Sequence, residues 1–309
     1  MKQVFLILML FAQLAQAQDY NAFFDVTSNS TYNKAATTAA NTTVSFTMIE
    51  GMMLVEAHVN NKKGNFIIDT GAPTLVLNER PTDNRQQQGR GISKDLVTEE
   101  VNVEEFSWSS IQKNDLFAYK VDISHLEDVS DTEIAGIIGY DILKDISLFV
   151  NYSSQTVQIR PNNQKSSREP LAVIPFTMQG HLPVIKVKIG KKKLHLALDT
   201  ASESNILDKK FLKKIAPEQI VRLMDGEIQG VDQQIKAVNI ATISGTSIKG
   251  RTLEDMNYLF TDLSHLKSES NIYIDGLLGY PFFKQGQISI NYKERKLYIW
   301  GLEMVSDKW

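Results

Sequence analysis

Apolar and polar residues alternate with a period of two along much of this 309-residue chain, the pattern of half-buried β-strands. Leu54, Glu56 and His58 alternate with Val55, Ala57 and Val59; further on, Val184, Lys186 and Lys188 alternate with Ile185, Val187 and Ile189. Turn residues follow each run at once, Asn60-Asn61-Lys62-Lys63-Gly64 and Gly190-Lys191-Lys192-Lys193, so each run reads as the first strand of a hairpin. The next strand is apolar throughout and ends on an acid: Phe66-Ile67-Ile68-Asp69 and Leu196-Ala197-Leu198-Asp199. Later strand pairs are expected at 147–152 with 156–160 and at 287–292 with 296–300. Helix is expected only in short pieces after the two Gly-Tyr dipeptides and over 208–224. The class these patterns predict is all-β.

Most of these features occur twice. Phe46-Thr47-Met48 precedes Asp69-Thr70, and Phe176-Thr177-Met178 precedes Asp199-Thr200, at the same spacing of 23 residues. Asp122-Ile123-Ser124-His125-Leu126 returns as Asp262-Leu263-Ser264-His265-Leu266. Gly136-Ile137-Ile138-Gly139-Tyr140 returns as Gly276-Leu277-Leu278-Gly279-Tyr280, and Asn151-Tyr152 as Asn291-Tyr292, all at a shift of 140. The shift is 130 at the aspartates, so the second copy carries ten extra residues in between; these are expected to decorate the surface. The copies run over about 43–160 and 171–301, joined by a polar linker at 161–170. An irregular arm at 18–42, with room for a short strand at 22–26, precedes them, and a short tail at 302–309 follows.

Composition narrows the function. A net charge of −3 with 22% charged residues provides no basic field for nucleic acid. There is no cysteine, hence no disulfide, no thiolate metal site and no lipid-modified cysteine. The five histidines, His58, His125, His181, His195 and His265, show no ligand spacing, and neither metal nor cofactor is expected. Lys2, the apolar run 4–14 and Ala15-Gln16-Ala17 read as a secretory signal cleaved after Ala17. No later run is long enough to span a membrane. A periplasmic or secreted monomer is the expectation.

Asp69-Thr70-Gly71-Ala72 at a strand end, with Asp-Thr recurring and a Gly-hydrophobic-hydrophobic-Gly motif after each acid, is the pattern that carries chemistry. It resembles the retropepsin-like aspartic proteases and, more distantly, pepsin. Asp69 to Ala72 match the family's D-[TS]-G-[AST] motif, and Ile137-Ile138-Gly139 and Leu277-Leu278-Gly279 match its second signature. The resemblance implies two tandem closed β-barrel lobes about a pseudo-two-fold axis, with the active-site cleft between them. It implies an endopeptidase acting on peptide or protein substrates, with Asp69 and Asp199 holding a water. Like charges about 3 Å apart do not both ionise cheaply, so such a pair shares one proton; aspartic proteases are the standard instance. Thr70 and Thr200 would lock the two acid loops together.

The second copy departs from the motif at Ala201, where glycine is usual. A methyl group there is tolerated if the backbone keeps φ < 0, and otherwise crowds the carboxylate. A degenerate peptide-binding protein of the cell envelope is therefore the alternative, and a structural scaffold a third reading. Ser202 follows Ala201, and its hydroxyl is expected to donate to Asp199, favouring its charged form and leaving the shared proton more often on Asp69. The resemblance also calls for flaps: 86–93, with Gly89 and Gly91, and 225–232, with Gly226 and Gly230, are the candidate hairpin tips. Asn151, Tyr152, Asn291, Tyr292, His125 and His265 read as structural.

Overall fold

The computed structural model describes residues 4–7, 11–12, 41–82, 87–90, 95–162, 168–230, 235–264, 266 and 272–301. The chain is mainly β. The strand Met52–Val59 turns through Asn60 and Asn61, both at positive φ, into Lys62–Ile68. Two consecutive left-handed residues make the tight hairpin turn that suits the twist of paired strands. The second copy has the matching hairpin of Leu182–Ile189 and Lys192–Leu198, with Gly190 at positive φ in its turn. Glu56, His58, Lys186 and Lys188 face solvent, while Val55, Ala57, Ile185 and Val187 are buried. Leu54 and Val184 are buried as well, because smaller apolar clusters cover the other face of each hairpin.

The strand Gly136–Ile138 lies beneath the first acid. It pairs in parallel with Phe66–Ile68, which leads into Asp69, and antiparallel with Val76 and Leu77, which follow it. Gly276–Leu278 does the same with Leu196–Leu198 and with Ile206 and Leu207. Each opening glycine is required by space: a Cβ on Gly136 would lie 2.0 Å from the Val76 carbonyl oxygen, and one on Gly276 2.0 Å from that of Ile206.

A six-stranded sheet joins the halves. Its central pair is Ile146–Asn151 with Gln287–Asn291, flanked by Thr156–Pro161 and Thr42–Ser45 on one side and by Lys296–Gly301 and Ala172–Pro175 on the other. Phe149 pairs with Ser289, its own equivalent at the 140 shift, and Val150 pairs with Ile288. Equivalent residues therefore meet at the centre of the sheet. One apolar core runs through this sheet into both halves.

Two expectations about helix need correction. Residues 208–224 do not form one helix: two short 3-10 turns, Lys209–Lys214 and Pro217–Gln219, are followed directly by the strand Ile220–Gly230. Pro217 has no amide to continue a helix, and the β-branched Ile220 and Val221 favour extended backbone. Phe211 and Ile215 are buried, so the extra residues cover the second half from outside. Conversely, His125–Ser130 forms a short helix where none was expected, after an Asx turn in which Asp122 accepts from the amide and hydroxyl of Ser124. The helices Tyr140–Leu143 and Tyr280–Phe283 follow the Gly-Tyr dipeptides. No helix among the described residues is long and apolar enough to cross a membrane.

The suggested strand at 22–26, the tail and half of the linker, 163–167, lie outside the described residues. Within the segment read as a leader, Val4–Ile7 pairs in parallel with Glu227–Gly230, and Phe11–Ala12 antiparallel with Gly89–Arg90.

Candidate active site

Each acid stands where its strand ends. The amide of Asp69 donates to the Ile138 carbonyl and that of Asp199 to the Leu278 carbonyl, both at 3.0 Å, so the glycine-flanked strand fixes where the strand gives way to the loop. The two loops meet and interlock through four buried hydrogen bonds. Thr70 Oγ1 donates to the Leu198 carbonyl at 2.9 Å, and Thr200 Oγ1 to the Ile68 carbonyl at 2.8 Å. Each hydroxyl also accepts the amide of the opposite threonine at 3.1 Å.

Asp69 and Asp199 come together fully buried. Asp69 Oδ1 accepts the Gly71 amide at 2.6 Å, and Asp199 Oδ1 accepts the Ala201 amide at 3.0 Å. The Oδ2 atoms have no protein donor among the described residues. The two carboxyl groups lie within hydrogen-bonding reach of each other, a bond that exists only while one of them holds a proton. Burial pushes the Asp69 carboxyl up to about 7, against amides of Gly71 and Ala72 that favour its charge. Burial also raises Asp199 well above the usual carboxylate range, and the charge of Asp69 raises it further. One proton is therefore shared between the two carboxyl groups, and its titration belongs to the pair.

The hydrogen bond expected from Ser202 to Asp199 is not made. The Ser202 hydroxyl donates to the Ser204 carbonyl at 2.7 Å and is not directed at Asp199. What Ser202 offers Asp199 is its backbone amide, which favours the charged form alongside the amide of Ala201, and Ala72 supplies the equivalent amide in the other half.

Ala201 resolves in favour of tolerance. It is not among the residues with positive φ, and its methyl group is buried against a cluster of the first half that includes Met52, Leu54 and Ile67. Gly71 has no such room: a Cβ there would lie 3.0 Å from Asp199 Cγ and 3.0 Å from Asp69 Oδ1. The two loops are alike in hydrogen bonding but not in space.

Sequence reasoning missed the floor of the site. Tyr152 and Tyr292, read as plain strand residues, are buried at the ends of the two central strands, and their hydroxyls have no hydrogen-bond partner among the described residues. Each stacks edge-on against the phenylalanine of its own copy: Phe46 with Tyr152 and Phe176 with Tyr292, both at 5.9 Å. Each also packs against the opposite copy's Gly-Tyr tyrosine, Tyr140 with Tyr292 at 5.2 Å and Tyr152 with Tyr280 at 5.7 Å. Burial holds both phenols neutral, and the charge of Asp199 acts on each in the same direction. Asn151 and Asn291 end their strands, and their side chains accept the amides of Ser154 and Glu294 in the turns that follow. A second missed residue is His181, whose Nε2 is 2.7 Å from the Gly71 carbonyl oxygen.

The flap candidates fall on two hairpins. Gly89 lies in the strand Gln87–Arg90, paired with Asp95–Thr98; Gly91 lies outside the described residues. Gly226 sits within the strand Ile220–Gly230, opposite Val238, and Gly230 ends it, so Gly226 is a strand residue and not a tip. His125 opens a helix, and His265 lies outside the described residues. A separate groove of about 1070 Å³ on the first half, lined by Lys62, Glu79, Lys120 and Asp122, includes neither acid.

Residues 185–282 match the family model described as aspartyl protease. The match covers Asp199-Thr200-Ala201-Ser202 and Gly276-Leu277-Leu278-Gly279, the copy that departs from the glycine motif. No curated protein matches the chain.

Proposed function

We propose that this chain is an exported aspartic endopeptidase, with one catalytic aspartate from each of two retropepsin-like lobes and the substrate peptide lying in the cleft between them. The observation that carries the reading is the pair of fully buried carboxyl groups, Asp69 and Asp199, presented by loops that the two threonines tie together. A family match over 185–282 supports the same class of activity.

In this reading Asp69, ionised, takes a proton from a water as its oxygen attacks the scissile carbonyl carbon. Asp199 gives its proton to the carbonyl oxygen, and a tetrahedral diol results. Asp69 then passes its proton to the amide nitrogen. The C–N bond breaks, and Asp199 regains a proton from one diol hydroxyl, restoring the starting state. Both acids come from one chain, so a monomer is sufficient. The strand pairing of 4–7 and 11–12 along the two flap hairpins supports an extended peptide as ligand, bound by strand addition. Lys2, the apolar run and Ala15-Gln16-Ala17 support export to the periplasm or medium.

The test is cleavage of a mixed peptide library by the chain lacking residues 1–17, with and without pepstatin, using Asp69→Asn as control. Pepstatin-sensitive cleavage absent from the variant supports the reading. Peptide binding without cleavage would favour the degenerate binding protein instead.

A further inference from the structure

We propose that His181 is a positioning residue for the aspartate pair: by holding the Gly71 carbonyl it aims the Ala72 amide at the Asp69 carboxyl, where it favours the charged form of that group. The inference rests on the peptidase reading for its catalytic meaning, though not for its geometry.

His181 occupies a two-residue hairpin loop, after Gly180 at φ 60, between Thr177–Gln179 and Leu182–Ile189. The corresponding loop of the first half is Glu50-Gly51, both at positive φ, between Thr47–Ile49 and Met52–Val59. Each loop packs against the acid turn of the opposite half. A Cβ on Gly51 would lie 3.1 Å from Glu203 Cα, while His181 reaches the Gly71 carbonyl oxygen at 2.7 Å. Only one of the two equivalent positions carries a side chain, so only one acid turn is held this way.

A carbonyl oxygen only accepts, so His181 is the donor through Nε2–H, and its tautomer is fixed. The Gly71 carbonyl and the Ala72 amide belong to one planar trans peptide unit, so fixing one end directs the other. That amide is among the groups that favour charge on Asp69. Donation to the carbonyl also polarises the unit and strengthens its N–H as a donor. Burial keeps His181 neutral down to about pH 4; Asp141 is the nearby charge opposing this. The imidazole therefore adds no charge to the site over the range in which Asp69 ionises.

The test compares wild type with His181→Phe, which removes the donor, and His181→Gln, which offers an amide in its place. Two readings are taken: carboxyl carbon NMR titration of the aspartate pair, and kcat/KM against pH. The expected result is a rise of about half a unit in the lower apparent pKa for His181→Phe, smaller than the one to three units of a charge in direct contact. An equal rise of the acid limb, kcat falling with KM unchanged, and return toward wild type in His181→Gln complete the expectation. Unchanged titration in a folded His181→Phe, or a His181→Gln that behaves like it, overturns the inference. Should His181→Phe fail to fold, titration of His181→Gln against His181→Ala decides in the same way. A wild-type chain that cleaves no peptide would count against the peptidase reading alone, because the titration needs no turnover.

Discussion

Thr70 and Thr200 hold each other: each hydroxyl accepts the other's amide, and each donates to the strand that leads into the other's aspartate. The acid turns of the two halves are thus one hydrogen-bonded unit, and the distance between the carboxyl groups is set by it.

Replacing either threonine with valine keeps the volume and removes two of these bonds, leaving a backbone amide and a carbonyl buried without partners. A buried group left unsatisfied costs about 1–3 kcal/mol, so each variant should lose roughly 2–4 kcal/mol in urea unfolding. The double variant should lose less than the sum, since both act on one network. Additive losses would mean that the two turns are held independently.

Gly71 and Ala201 should respond oppositely to exchange. Gly71→Ala places a methyl group about 3 Å from the Asp199 carboxyl and should lower kcat on the order of a hundredfold, the scale of an ångström's misplacement. Ala201→Gly removes a buried methyl and loosens the backbone, costing about 1 kcal/mol of stability while leaving kcat within a few-fold of wild type. Equal effects on kcat would show that the turns are spatially equivalent after all.

The buried acids make stability depend on pH in a stated direction. Both carboxyl groups have folded-state pKa values raised above the unfolded value, Asp69 to about 7. The folded chain therefore binds protons more tightly than the unfolded chain, and stability falls as pH rises. This contribution is fully present below about pH 4 and is lost as pH rises through the raised values of the pair, about 7 at Asp69. Thermal unfolding from pH 4 to 8 should show a decline that the Asp69→Asn/Asp199→Asn double variant lacks. Parallel profiles for the two proteins would contradict the burial of the pair.

Much of this was legible from spacing. The duplicated Asp-Thr dipeptides and the glycine-flanked strands located the two acids and the strands beneath them, because apolar runs and strict glycine positions follow from local backbone geometry. The Lys209–Lys214 segment was misread because its composition suits a helix, while Pro217 and buried Phe211 and Ile215 decide otherwise. Ser202, Tyr152 and His181 were misjudged for another reason: their roles depend on where a side chain points after the two halves meet. A faint signal existed for His181, since the equivalent position in the first copy is Gly51, which has no side chain.

The most direct test of the account is kcat/KM for peptide cleavage by wild type, Asp69→Asn, Asp199→Asn and the double variant. Two carboxyl groups that share one proton act as a unit, and their losses are not additive. Each single variant should lose nearly all activity, and the double should be little worse than either. Substantial cleavage by either single variant would contradict the claim that Asp69 and Asp199 form one catalytic pair.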